Sequence, residues 1–136
     1  AQLLPVAAET GTGVIVRVAL DEGVLTGKYP ADHRFAEDDF RAAYFAGDRM
    51  RRTSDRVAQI AADVEASGLS EPYTLADVAL KFALARPEVS TVIAGMRTIE
   101  QVEQNTRSSE LKDLPTPLLQ KLRRHNWRRG VWYAGK

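Results

Sequence analysis

Two short runs rich in β-branched residues, Val14 to Leu20 (VIVRVAL) and Val89 to Ala94 (VSTVIA), are separated by stretches with helical apolar spacing. Runs of that composition and length predict buried strands of a parallel sheet. In the first run, alternation puts Val14, Val16, Val18 and Leu20 on one face, suited to packing against helices, and Ile15, Arg17 and Ala19 on the other. The Arg17 face then needs a carboxylate, carbonyls or water nearby.

The helical signals are equally local. Residues 1–10 read as the end of a helix whose beginning lies elsewhere, broken by Thr12 and Gly13. Ser54 is a candidate N-cap for a helix running to about Ala66, with Val57, Ile60, Ala61 and Val64 forming one apolar stripe and Gly68 stopping it. Thr74, with Asp77 three residues on, has capping-box spacing for a helix that carries Val78, Leu80, Phe82 and Leu84 and ends before Pro87. Gly95 and Met96 turn the chain after the second strand. Arg97 and Thr98 then open another helix, with Thr98 and Gln101 again in capping-box spacing. Thr116 and Pro117 start the last helix, whose apolar side is Leu118, Leu119 and Leu122. Between the first strand and the Ser54 helix lie a loop with two glycines and a proline (Asp21 to Pro30) and a long excursion, residues 31–52, expected to hold one short helix.

Strands alternating with helices predict an α/β chain with two parallel strands and flanking helices. Two strands make too small a sheet to stand alone, so further chain or further copies must supply neighbours. The 136 residues suffice for one ordinary domain, and 44% hydrophobic and 27% charged residues are ordinary for a soluble one. The lack of an initiating Met predicts a piece of a longer protein. The net charge of +1 gives no strong steering of anionic partners. Without cysteine there is no disulfide, thiolate catalysis or cysteine-ligated metal. No apolar stretch approaches the roughly 20 residues of a membrane span, and no signal-like leader is present. These features predict a cytoplasmic, membrane-free protein.

The strongest chemical signal is Gly95 to Asn105 (GMRTIEQVEQN). The first amides of a helix lack internal partners and its dipole is positive there, which suits phosphate. Arg97 adds a planar fork that matches phosphate oxygens, and Gln101 and Asn105, one turn apart, project from one face. The plainer reading is an ordinary helix start with a surface arginine. The second signal is Asp21 to Lys28, where Gly23 and Gly27 permit close backbone approach and Lys28 can reach a diphosphate. Its plainer reading is a loop that needs glycines to turn. Asp21 with Glu22, and Asp38 with Asp39, read as solvated loop charges. The two histidines, His33 and His125, are too far apart in sequence to suggest a metal site or a triad.

At these places the chain resembles the aldo-keto reductases, in particular a bacterial NADP-dependent branch. LDEGVLTGKYP and DDFRAAYFAGDR are similar to the loop after the family's seventh strand, and TLADVALKFALARPEVSTVIAGMRTIEQVEQN to its helix, eighth strand and 2′-phosphate-binding helix. The resemblance implies one domain, residues 1–136, forming the C-terminal quarter of a TIM barrel, incomplete alone, with residues 31–52 as a long loop and 116–136 as a C-terminal helix and basic tail. It implies NADP(H) as cofactor. Leu20, Asp21, Gly23, Leu25, Gly27 and Lys28 fall around the diphosphate and nicotinamide ribose; Gly95, Met96, Arg97, Gln101 and Asn105 fall around the 2′-phosphate and adenine. The family commonly has proline at Ala19 and often glutamate at Gln104.

Family catalysis uses an Asp, Tyr, Lys and His from early strands, and no segment here matches those motifs. Tyr29, Tyr44, Tyr73 and Tyr133 stand in other contexts, so no catalytic or metal residue is assigned. The implied function is the cofactor-binding part of an enzyme that reduces aldehydes or ketones by hydride transfer, inactive as an isolated chain and prone to self-association through unpaired strand edges. The alternative is a non-catalytic nucleotide-binding or oligomer-forming module. Nucleic-acid binding by the tail, where Arg123, Arg124, Arg128 and Arg129 interleave with Trp127, Trp132 and Tyr133, is the weakest reading, since the overall charge gives it no support.

Overall fold

In a computed structural model the described residues are 3–69 and 73–126. The chain runs α1 (Leu3–Thr10), β1 (Val14–Arg17), a kinked 3-10 segment (Asp21–Thr26), α2 (Phe40–Tyr44), α3 (Arg49–Ala66), α4 (Leu75–Leu84), β2 (Val89–Ile93), α5 (Ile99–Arg107) and α6 (Thr116–Arg123). β1 and β2 pair in parallel as an open two-stranded sheet, the arrangement expected for strands joined by helical crossovers. The register steps from Val14↔Val89 to Ile15↔Thr91, so Ser90 is the extra residue of a bulge. Its hydroxyl accepts the Val14 N–H at 3.1 Å, which compensates the interrupted ladder.

Both strands are shorter than the sequence predicts. β1 ends at Arg17 rather than Leu20 because Val18 adopts φ 56°, a left-handed conformation that a β-branched residue rarely takes and that no strand tolerates. Val18 therefore leaves the helix-facing row and lies 47% exposed. β2 ends at Ile93, one residue before Ala94. Nor are the strands covered on both faces. Val14, Val16, Val89 and Val92 are half-buried, whereas Ile15 and Ile93 are 58% and 59% exposed on the opposite face.

The helical layer contains the larger core. Val64, Val78, Leu114, Leu118 and Leu122 form one buried cluster, joined by Ile60, Leu75 and Phe82. A second cluster, Val24, Phe45 and Met50, sits under the long excursion and is capped by Tyr29, Phe35 and Tyr44. That second cluster explains the start of α3. Met50 and Thr53 are buried and extend the Val57–Val64 stripe backward, so the helix begins at Arg49 and Ser54 lies inside it rather than capping it. The Thr74–Asp77 capping box is present in full. At Thr98 half of the expected box forms: its hydroxyl accepts the Gln101 amide, but the Gln101 side chain reaches one residue further back. Of the basic tail, Arg123 and Arg124 are described, while Trp127, Arg128, Arg129, Trp132 and Tyr133 lie outside the described residues. Among the described residues no helix is long and apolar enough to cross a membrane.

Candidate functional site

The two signals read from the sequence meet at the carboxyl ends of β1 and β2, where ligands bind in parallel α/β architectures. They border one cleft of about 970 Å³. Leu20, Gly23 and Lys28 line one side; Gly95, Arg97, Gln101 and Asn105 line the other. Four sequence-assigned residues lie elsewhere. Asp21 and Leu25 line a separate cavity of about 700 Å³ on the helical side, between the 3-10 segment, α4 and α6. Gly27 turns the chain behind the cleft and Met96 is 44% exposed outside both cavities.

The β1 side is a strained turn. Val18, Asp21 and Glu22 all have positive φ (56°, 51° and 56°), as does Gly23 at 91°. A non-glycine residue held so costs on the order of 1–3 kcal/mol and persists only when its surroundings over-determine it. The Leu20 carbonyl accepts the Gly23 and Leu25 amides at 2.9 and 3.2 Å, and the Thr26 hydroxyl donates to the Gly23 carbonyl at 2.7 Å. Gly27, at φ 76°, presses against α4, where a Cβ would meet Leu75 Cδ1 at 2.8 Å. The positive φ favours glycine there, while the Leu75 methyl, at the end of a flexible side chain, could shift.

The β2 side is held by near neighbours. The Gln101 side-chain oxygen accepts the Arg97 amide at 2.7 Å, and the Asn105 side-chain amide donates to the Gly95 carbonyl at 3.4 Å. Gln101 and Asn105, which the sequence offers as ligand contacts, also tie the Gly95–Arg97 backbone to the first turns of α5. The Arg97 guanidinium makes no hydrogen bond or ion pair among the described residues, and nothing stands within 4 Å of where a Gly95 Cβ would lie. α5 is anchored from below by the buried carboxylate of Asp77. This group accepts from the Thr74 amide and hydroxyl (2.8 and 2.7 Å), the Ser108 hydroxyl (2.8 Å) and the Arg107 guanidinium (2.6 Å). Burial alone would raise its pKa, but the Thr74, Ser108 and Arg107 donors outweigh that and hold it below the usual carboxylate value.

The third wall was not legible as such. Asp39, read as a solvated charge, is paired with Arg41, and the two side chains are only 23% and 16% exposed. Arg41 donates Nε and Nη2 to the Asp39 carboxylate, and Nη1 to the Tyr29 hydroxyl (3.0 Å) and the Glu22 carbonyl (3.4 Å). Its guanidinium carbon lies 4.4 Å from the Phe35 ring centre. The Arg41 hydrogen bonds, with a smaller contribution from the charge of Arg97, lower the Asp39 pKa from 3.8 to about 2. Arg17, Glu22, Asp38 and Tyr29 also line the cleft. Spacing alone does not mark Asp39 and Arg41, two residues apart, as a clamp, because the backbone that Arg41 reaches, at Glu22, is 19 positions away.

The aldo/keto reductase family model matches residues 1–126. The chain belongs to the aldo/keto reductase family. Among curated relatives, a probable voltage-gated potassium channel subunit beta of Arabidopsis thaliana is 28% identical over 123 residues, covering 87% of this chain and 36% of that protein. The aldo-keto reductase str7 of Strobilurus tenacellus is 30% identical over 112 residues, covering 81% of this chain and 32% of that protein. The glycerol dehydrogenase AKR11B4 from Gluconobacter oxydans superposes with a TM-score of 0.74 at 22% identity, over 90% of this chain and 36% of that one, a likeness of fold. The chain thus spans about a third of the length of the curated relatives it matches. For this family member the open sheet is part of an aldo-keto reductase TIM-barrel architecture.

Proposed function

We propose that this chain is the C-terminal quarter of its barrel and forms the NADP(H)-holding side of an oxidoreductase that reduces aldehydes or ketones. The observation that carries this is the convergence of Lys28 and Arg97 on one cleft from two separate strand ends, each cation without an ion pair among the described residues. The cleft suits a dinucleotide phosphate: it has fixed-charge donors on both sides, an open backbone approach at Gly95, and a volume at the upper end of ordinary ligand sites. The acidic residues Glu22 and Asp38 also line it. They face the ribose-binding role better than the phosphate one.

When bound, the cofactor supplies a hydride to the carbonyl carbon. Arg97 holds the 2′-phosphate and is the residue that selects NADP(H) over NAD(H). Lys28 neutralises the diphosphate. Gly23 and Gly95 let backbone approach the ligand, and Gln101 and Asn105 keep the Arg97 loop in place. None of these residues is placed to protonate a carbonyl, so the isolated chain is expected not to reduce one. Following NADPH absorbance with a broad aldehyde panel tests that; turnover abolished by a point mutation within these residues would contradict it.

Binding is tested by calorimetric titration of NADPH and NADH into the full-length protein. Tighter binding of NADPH is expected, and equal affinity would refute the assignment of Arg97. The uncovered Ile15 and Ile93 face is expected to make the isolated chain associate with copies of itself. A sharp monomer peak in size-exclusion chromatography with light scattering would contradict this. A non-catalytic nucleotide-binding module would use the same cleft and differ only in lacking turnover at full length.

A further inference from the structure

We infer that Arg41 is a positioning residue for the cofactor, a clamp that binds the long excursion to the strained turn and keeps the Lys28 side of the cleft in its binding shape. The inference rests on the cofactor reading of the cleft. Its physical basis is independent of it. Val18, Asp21 and Glu22 occupy left-handed backbone conformations that their own side chains disfavour, so something outside the turn must hold them. Arg41, in the excursion, hydrogen-bonds to this turn: its Nη1 donates to the Glu22 carbonyl at 3.4 Å and to the Tyr29 hydroxyl at 3.0 Å, on either side of Gly23 and Lys28.

The fork cannot swing away freely. Asp39 takes Nε at 3.0 Å and Nη2 at 2.5 Å, and the Asp39 side chain is itself fixed by accepting the Arg41 amide at 2.9 Å as the N-cap of α2. The Phe35 ring closes over the guanidinium from another side. A bidentate pair, a phenol and a carbonyl are thus addressed at once, which only the planar fork of arginine can do. The Tyr29 ring held by this clamp is in turn the surface against which Gly23 packs, 3.6 Å from where its Cβ would be. Releasing Arg41 frees Tyr29 and Glu22 together and lets the turn relax away from the binding shape.

The test compares wild type, Arg41→Met and Arg41→Lys in the full-length protein by amide hydrogen exchange without cofactor and by NADPH titration. In Arg41→Met the Gly23 and Leu25 amides are expected to exchange faster while the Val78 amide in α4 does not change, which separates a local clamp from general destabilisation. NADPH is expected to bind about tenfold or more weakly, as it would if the released turn held the binding shape only about a tenth of the time. Arg41→Lys, which keeps the charge without the fork, is expected to resemble Arg41→Met. Unchanged exchange at Gly23 and Leu25 would overturn the clamp. Faster exchange with unaltered NADPH affinity would overturn the positioning role, as would wild-type affinity in Arg41→Lys, which would show that charge alone matters. Failure of the wild type to bind NADPH would instead remove the cofactor reading, with the exchange result still deciding the clamp.

Discussion

Residues 18–28 and residues 94–105 border the same cleft, yet their backbones are held by different means. The first segment has positive φ at three non-glycine residues and depends on partners far along the chain: Arg41 on the Glu22 carbonyl, Leu75 against Gly27, Val24 packed on Phe45 and Met50. The second has no positive φ and is tied by side chains four and ten residues away, Gln101 on the Arg97 amide and Asn105 on the Gly95 carbonyl. The first loop stores strain and relies on tertiary structure to keep it. The second is an ordinary helix entrance with its own local fastening.

The largest effect is expected where the second loop meets its support. Asp77→Ala removes the acceptor shared by Thr74, Ser108 and Arg107 and should cost about 3 kcal/mol of stability, read from chemical denaturation. The carboxyl is held below its ordinary 3.8, so its contribution is complete above the unfolded-state value and is lost as the pH falls through the folded one. Wild-type stability in Asp77→Ala would show that α5 stands without it. The next effect contrasts the two glycines. Gly27→Ala should cost about 1–2 kcal/mol, chiefly from φ 76°, because the clash is with the movable end of Leu75. Gly95→Ala, with open space and no positive φ, should stay within about 0.5 kcal/mol, both read as thermal midpoints. Equal costs would erase the distinction between the loops. Gln101→Ala should cost about 1 kcal/mol or less by leaving the exposed Arg97 amide to water, and should speed exchange of that amide. The smallest effect is a titration. The Asp39 carboxyl carbon shift should move near pH 2 in the wild type and return toward the usual range in Arg41→Met. An unmoved midpoint would mean that Arg41 is not its principal partner.

The same contrast accounts for what could be read without coordinates. The second loop was legible because its determinants are local: a strand end, a glycine, a capping threonine, and polar residues at helical spacing. Thr98 caps α5 and Thr74 caps α4 where the sequence places them. The first loop was legible only as glycines and a lysine. Val18 at φ 56° contradicts its strand propensity, and no local pattern announces that Arg41 will cross back to Glu22. Asp39 looked solvated for the same reason. α3 starts earlier than its own periodicity indicates because Met50 is buried with Val24 and Phe45 of the second cluster, a long-range contact invisible within the helix. Asp21 and Leu25, assigned to the cofactor, face the helical cavity because the left-handed kink at Asp21 and Glu22 reverses the direction an extended chain would have kept.

Titrating NADPH and NADH into full-length wild type and Arg97→Ala addresses the claim on which the cofactor reading stands. The guanidinium at this helix mouth should be worth about tenfold to a hundredfold in NADPH affinity, with NADH binding unchanged, so that the preference between the two nucleotides disappears in the variant. If Arg97→Ala binds NADPH as tightly as the wild type, or loses both nucleotides in equal measure, the side chain does not recognise the 2′-phosphate.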